Sequence, residues 1–214
     1  MNIVGVDESG KGDFFGPLVI AALLAPEGDG EKLRSLGARD SKLVTDKNAL
    51  AADEALRHAY PHAVIVIMPS DYNHRYEQIK NLNKLLAAGH ADAIDAVLRS
   101  HTAELAISDK FGKPELVESE LQKRKQPIRL RQVVGGEAIP QVAAASILAR
   151  AEFIRRMHKL SDDYEITLPK GAAAQVDQAG REFVRTHGVE KLREVAKLHF
   201  KNYLRVVNPR LAGC

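Results

Sequence analysis

Four acidic residues stand where a short apolar segment ends or where a helical pattern begins: Asp7, Glu8, Asp109 and Glu137. Carboxylate oxygens without nearby His or Cys suit hard divalent ions such as Mg²⁺ or Mn²⁺. Four such groups can hold two ions about 4 Å apart, which together bind the attacking and the leaving oxygen of a phosphodiester. The residue types therefore indicate a site for metal-dependent phosphodiester chemistry.

The position of these residues supports a shared site but leaves simpler interpretations open. Ligands bind at the carboxyl ends of strands in an open α/β sheet, so two neighbouring parallel strands that end in carboxylates would place them on one rim. Against this, an isolated Asp at a strand end is usually a turn or cap residue. Glu137 is also explained by the favourable interaction of an acidic residue with a helix N-terminus.

The glycine-rich segment Gly5–Gly12 (GVDESGKG) nearly matches the phosphate-binding pattern G-x-x-x-x-G-K-[ST]. It fails at the last position, since Gly12 replaces the hydroxyl residue, and its two carboxylates would repel a nucleotide phosphate. Two interpretations remain. The segment is either an ordinary tight turn or a loop whose backbone amides and Lys11 approach a polynucleotide backbone.

These residues need a scaffold of alternating strands and helices. The apolar patterns predict strands at Ile3–Val6, Phe15–Leu24, Ala63–Met68 and Glu104–Ser108, and a strand through Val134 after the basic stretch Lys123–Arg131. They predict helices from Thr45 to about Tyr60, two after Met68 with Leu82–Ser100 the longer, then Ile139–Lys159, and a tail Ala173–Leu204 broken near His187–Gly188. This order predicts an α/β fold with a mixed central sheet.

The composition bounds the kind of protein. The chain has 214 residues and a net charge of +3, which permits a nucleic-acid partner without requiring one. Its single cysteine, Cys214, excludes an internal disulfide, and it has neither a signal-peptide pattern nor an apolar run long enough to span a membrane. We expect a cytoplasmic, monomeric protein of one domain, residues 1–214, with a helical C-terminal subregion from about residue 170.

Ordered motifs resemble those of type 2 ribonucleases H across nearly the whole chain. The opening GVDESGKGDFFGPLV is similar to ribonuclease HIII, since ribonuclease HII usually has Arg where Lys11 stands. Further segments match in order: RDSKL, NLNKLLAAGHADAI, SDKFG, IPQVAAASILAR, LPKGA and AKLHFKN. A Glu at position 137 is again the ribonuclease HIII choice.

The resemblance implies a ribonuclease H-like fold and cleavage of the RNA strand of RNA–DNA hybrids. It implies dependence on two Mg²⁺ or Mn²⁺ ions and products with 5′-phosphate and 3′-hydroxyl ends. It assigns catalysis and metal binding to Asp7, Glu8, Asp109 and Glu137. It assigns substrate contacts to Ser9, Gly10, Lys11, Gly12, Ser41, Lys42 and Lys170.

Two departures from the family pattern qualify these expectations. Family members of type III usually carry an N-terminal, TATA-binding-protein-like domain, whereas here Met1 lies six residues before Asp7, so we expect that domain to be absent. Ribonuclease HII has a Gly-Tyr motif that senses the RNA–DNA junction, where this chain reads Lys170-Gly171-Ala172. We therefore expect weak cleavage at a single ribonucleotide within DNA. The alternatives are junction cleavage of the ribonuclease HII type and a non-catalytic hybrid-binding protein.

Other polar residues receive weaker assignments. The C-terminal cations Lys197, Lys201 and Arg205 are expected to form either a phosphate-binding face or a solvated one. His90 and His199 lie in family motifs, but a helical His is more often a packing or hydrogen-bonding residue than a catalyst, so neither is assigned a catalytic role.

Overall fold

The structure, a computed structural model, describes residues 1–39 and 44–208. The candidate substrate contacts Ser41 and Lys42 lie outside these residues. The strands are β1 (Asn2–Ser9), β2 (Leu18–Pro26), β3 (His62–Ile67), β4 (Leu105–Asp109) and β5 (Arg129–Val133). The helices are α1 (Gly30–Ser35), α2 (Asp46–Ala59), α3 (Pro69–Ile79), α4 (Leu82–Leu98), α5 (Pro114–Lys123), α6 (Pro140–Asp163), α7 (Ala174–His187), α8 (Leu192–Val195) and α9 (Lys201–Val207). Short 3-10 helices cover Glu27–Asp29, Gly136–Ala138 and Val189–Lys191.

The chain forms two compact units that interleave in sequence. The sheet unit comprises Met1–Ser9, Val19–Ile65 and Asn81–Glu152. The helical unit comprises Gly10–Leu18, Val66–Lys80 and the chain from Phe153 onward. The expected single domain with a C-terminal helical subregion stays a prediction.

The strands form one mixed sheet in the order β3-β2-β1-β4-β5, which confirms the predicted fold class. β1 pairs antiparallel with β2 and parallel with β4, and β4 pairs parallel with β5. β5 lies at one edge, where the side chains of Arg129 and Arg131 are exposed. The arrangement places β1 and β4 side by side in the middle of the sheet.

One face of β1 packs directly against the start of α6. A Cβ atom on Gly5 would lie 2.1 Å from the backbone carbon of Gln141, so only glycine permits this approach. On the same face, Ile3 and Ile107 form a buried cluster with Val142. Residues two apart in a strand share a face, so Asp7 and Asp109 also point toward the α6 side.

Most predicted elements are confirmed, with differences at their ends. Thr45 caps α2 as predicted, its hydroxyl accepting a hydrogen bond from the backbone N–H of Asn48 at 3.3 Å. The second strand begins at Leu18 rather than Phe15, because Gly16 turns the chain at φ +81°. The continuous apolar run Ala63–Met68 favours a buried strand, but β3 is an edge strand whose residues are mostly half-buried.

The helical unit has an aromatic core. Phe14, Phe15 and Phe183 are fully buried, and Phe15 forms an isolated bridge with Ala196. Lys197 is buried in this core, which corrects the expectation that it contributes to a solvated or phosphate-binding face. Within the part of the chain that the structure describes, no helix is both long and apolar enough to cross a membrane.

Candidate active site

The parallel pairing of β1 and β4 brings two of the four acidic positions to the same end of the sheet. Val6 is in register with Ser108, the last pair between β1 and β4, so Asp7 and Asp109 each come directly after it. Both are partly buried, and both belong to the face that packs on α6. The sequence predicted a shared rim on the condition that the two strands are neighbouring and parallel, and β1 and β4 meet that condition.

Asp7 is held in an environment that disfavours its charge. Burial and the adjacent Glu8 carboxylate raise its pKa to about 6, while a hydrogen bond with the Ser146 side chain and the nearby His90 oppose that rise. A cation at this position would offset both the desolvation and the repulsion between the carboxylates. The environment of Asp7 therefore fits a metal ligand.

Glu8 is paired with a histidine from α4. The His90 Nε2 atom lies 2.9 Å from Glu8 Oε2, and the His90 ring is fully buried against Phe111, with 4.7 Å between ring centroids. Within the described residues, His90 Nδ1 is also buried and has no hydrogen-bond partner. Because Glu8 Oε2 can only accept, the proton of a neutral His90 lies on Nε2.

The turn before α6 connects Asp109 to Glu137. The backbone N–H of Gly136 donates a hydrogen bond of 3.0 Å to Asp109 Oδ1. A Cβ atom on Gly136 would lie 2.9 Å from the Asp109 backbone, so glycine is required for this approach. Gly135 adopts φ +70° just before it, and Glu137 follows in the 3-10 helix Gly136–Ala138, partly exposed.

The donor set fits a hard divalent cation in chemistry, although its side chains are held by protein partners. Asp7 bonds Ser146, Glu8 bonds His90, and Asp109 accepts from Gly136. Among residues 1–39 and 44–208, no group of three or more His, Cys, Asp or Glu side chains is arranged as an ion site. All four candidate residues belong to the sheet unit and offer oxygen ligands.

A groove of about 820 Å³ opens beside Asp109 in the same unit. Its walls come from the segment that follows β4 and from the start of α4, and they include Asn81, Asn83, Lys110, Phe111 and Lys113. Two lysines, two amides and an aromatic ring are groups that bind phosphates and bases. The groove therefore has the chemistry of a surface for a nucleic-acid strand.

The candidate substrate contacts lie mainly in the helical unit. Ser9 ends β1 in the sheet unit, whereas Gly10, Lys11, Gly12 and Lys170 belong to the helical unit. Gly10 has φ +84°, and a Cβ atom there would lie 2.2 Å from the carbonyl oxygen of Pro17. Gly12 and Lys170 are exposed. The glycine loop is thus a fixed turn with an exposed tip.

Sequence reasoning missed three polar residues around these sites. His90 was expected to pack or to form a hydrogen bond, but its partner Glu8 lies 82 positions away, which no local pattern reveals. Ser146 lies in a run of alanines on α6 and was not singled out. Asp13 was read only as part of a motif, although its carboxylate accepts a hydrogen bond from the Gly171 backbone N–H at 2.6 Å.

Comparisons with known proteins agree with this architecture. The family model described as ribonuclease HII matches residues 4–203. Ribonuclease HIII of Protochlamydia amoebophila is 40% identical over 92% of this chain and 66% of that protein. Ribonuclease HIII of Chlamydia abortus is 42% identical over 95% of this chain and 69% of that protein.

A solved structure gives the same result for the fold. The crystal structure of Bst-RNase HIII in complex with Mn²⁺ superposes with a TM-score of 0.90 at 32% identity, covering 100% of this chain and 70% of that one. The chain thus spans about two thirds of the length of the relatives that it matches.

Proposed function

Because the chain belongs to the ribonuclease HII family, whose members are ribonuclease H enzymes, we propose that it hydrolyses the RNA strand of RNA–DNA hybrids. The observation that carries the proposal is the β1–β4 pairing, which brings the carboxylates of Asp7 and Asp109 to one end of the sheet on one face. Glu8 follows Asp7 directly, and the Gly136 turn ties Glu137 to Asp109.

Asp7, Glu8, Asp109 and Glu137 would hold two divalent cations, Mg²⁺ or Mn²⁺. When bound, such ions neutralise the charge of a phosphodiester and help water to attack it. In the overall reaction, water adds to phosphorus and the bond from phosphorus to the 3′-oxygen breaks. The products then carry a 5′-phosphate and a 3′-hydroxyl.

The remaining residues would bind and orient the hybrid. A hybrid displays 2′-hydroxyls in a wide, shallow minor groove, which an exposed glycine tip can approach closely. Ser9, Gly10, Lys11 and Gly12 would contact this groove, and Lys170 would contact a phosphate. The groove that is lined by Asn81, Lys110 and Lys113 would hold the strand next to the scissile bond.

A cleavage panel tests the proposal. The substrates are end-labelled RNA–DNA hybrid, double-stranded RNA, and DNA with one ribonucleotide, each with Mg²⁺, Mn²⁺ or EDTA. We expect cleavage of the hybrid with either ion, none in EDTA, and 5′-phosphate ends on the products. Binding of the hybrid without cleavage in either metal would instead identify a non-catalytic hybrid-binding protein.

We expect DNA with a single embedded ribonucleotide to be cut much more weakly than the hybrid. Ala172 has no ring to stack at the junction, and its carbonyl oxygen accepts a hydrogen bond from Asn202 at 3.0 Å. The ratio of kcat/KM for the two substrates measures this preference. Equal values of kcat/KM for the two substrates would support junction cleavage of the ribonuclease HII type.

The proposed setting is the cytoplasm, with the protein acting as a monomer. A chain with one cysteine and no internal disulfide suits a reducing compartment. Size-exclusion chromatography with light scattering tests the monomer directly.

A further inference from the structure

The loop that carries Lys170 is held by the segment that follows the glycine loop. Asp13 Oδ1 accepts a hydrogen bond from the Gly171 N–H at 2.6 Å, and the Phe14 N–H donates to the Gly171 carbonyl oxygen at 2.9 Å. Both polar backbone groups of Gly171 are therefore fixed by two consecutive residues. The first of these residues comes directly after Gly12.

The conformation of the Lys170 loop depends on these bonds. Gly171 adopts φ +90°, a left-handed conformation that glycine adopts without strain. On the other side, Asn202 holds the Ala172 carbonyl oxygen at 3.0 Å. Lys170 is exposed next to this turn, so the turn sets where its backbone lies.

The segment that holds the loop is itself anchored by a buried lysine. Lys197 Nζ donates to the carbonyl oxygens of Asp13 at 2.8 Å and Gly16 at 2.7 Å, and it lies 5.7 Å from the centre of the Tyr72 ring. A buried ammonium is costly unless hydrogen-bonded, and these two carbonyls offset part of that cost. The backbone adds a bond from Lys197 N–H to the Phe14 carbonyl oxygen at 2.8 Å.

From these contacts we infer that Asp13 is a positioning residue for substrate binding, which sets Lys170 beside the glycine loop so that both engage one hybrid. The inference rests on the proposed function, since it takes the hybrid as the ligand. A loop amide such as that of Gly171 can be hydrated instead, so folding alone does not require a carboxylate here. A charge-assisted bond orders the loop before the substrate arrives, which lowers the entropic cost of binding.

The direct test is the affinity for a fluorescent RNA–DNA hybrid, measured by anisotropy in EDTA so that no cleavage occurs. Asp13→Ala removes the acceptor, whereas Asp13→Asn keeps an oxygen that can accept from Gly171. We expect Asp13→Ala to weaken binding about tenfold and Asp13→Asn to restore most of the loss. Asp163→Ala, which removes an exposed carboxylate paired with Lys159, is the matched control and should bind normally.

Coupling to Lys170 separates positioning from a general structural role. Lys170→Ala should weaken binding and lower the slope of log K against log salt by about one, as expected for one lost phosphate contact. If Asp13 acts through Lys170, then Asp13→Ala should lower the slope similarly and have little further effect in the Lys170→Ala background. Additive effects of the two substitutions would overturn the inference.

Further readouts keep the inference separate from the proposed function. Mn²⁺ binding measured by calorimetry should be unchanged in Asp13→Ala, since the candidate metal ligands belong to the other unit. If Asp13→Ala does not fold, NMR measurement of amide exchange in the wild-type protein tests the bond between Gly171 and Asp13 instead. Slow exchange of the Gly171 amide is expected, and fast exchange would overturn the inference. If Asp13→Ala binds the hybrid normally while the wild-type protein cleaves it, the inference about Asp13 is rejected and the proposed function stands. If the wild-type protein never cleaves the hybrid, the proposed function is rejected.

Discussion

The carboxylate rim of the sheet unit and the loops of the helical unit are built on opposite principles. At the rim, strand ends force like charges together, and the pKa of Asp7 is raised by burial and by Glu8. In the loops, hydrogen bonds hold the chain: Asp13, Phe14 and Asn202 fix the Lys170 turn, and Lys197 fixes Asp13. The first region disfavours the negative charge of its own Asp7, whereas the second is preorganised by its own bonds. Substitutions should therefore affect catalysis at the rim and affinity in the loops.

The sharpest test of this contrast is Asp7→Asn. Removing the charge should lower kcat by more than about a hundredfold, since even outer-shell changes at metal sites cost about 10- to 100-fold. Hybrid affinity in EDTA should stay within about twofold of the wild type, because the proposed gripping residues are untouched. Single-turnover cleavage and anisotropy measure the two quantities. Near-normal cleavage by a folded Asp7→Asn protein would show that the rim is not the metal site.

A smaller effect is expected at His90, which lies one contact away from the proposed metal. His90→Leu removes the donor to Glu8 and should weaken Mn²⁺ binding about 10- to 100-fold, with hybrid affinity unchanged. His90→Gln keeps an N–H, so its Mn²⁺ affinity should lie between that of His90→Leu and that of the wild type. Calorimetry with Mn²⁺ measures the affinity, and His158→Leu, at an exposed helical position, is the control. Equal Mn²⁺ affinities in all variants would restrict His90 to packing.

An effect on stability rather than on activity is a pH dependence in the loop region. Burial lowers the pKa of Lys197 to about 7 from 10.5, against the opposing effect of Asp13. Between these values the unfolded chain binds more protons than the folded one, so the free energy of unfolding should rise with pH, by at most about 1.4 kcal/mol per unit. Below pH 7 both states carry the proton, and the slope from this group vanishes.

Urea denaturation from pH 6 to 10 measures this dependence. Lys197→Met, if it folds, should lack the rise between pH 7 and 10, while Lys201→Met, at an exposed position, should keep it. The same rise in Lys197→Met would assign the dependence to another group.

Local patterns in the sequence were enough for the predicted strands and helices, but not for every element. The helix α5 begins at Pro114 and buries only Val117 and Leu121, a periodicity too sparse to identify. The helix α1 has six residues with Leu33 as its buried side chain, and no helix was predicted there. Short elements of this kind are stabilised by the surface they pack on, which the local sequence does not contain.

The candidate site also combines features that local sequence predicts with features that depend on tertiary packing. A shared rim for Asp7 and Asp109 was expected on the condition that their strands are neighbouring and parallel, and the structure pairs β1 and β4 in this way. The partners that tune these residues were not, because His90 and Ser146 reach β1 from helices far along the chain. Lys197 shows the reverse error: a cation that looked solvated is enclosed once the aromatic core forms around it.

The exposed arginines of β5 also bear on self-association through this edge of the sheet. An edge strand presents unpaired backbone groups that can recruit a strand from another molecule. Stacking a second copy on β5 would bring Arg129 and Arg131 against the same residues of that copy and would strip water from their charges. The side chains of this edge would thus oppose extension of the sheet and amyloid-like aggregation.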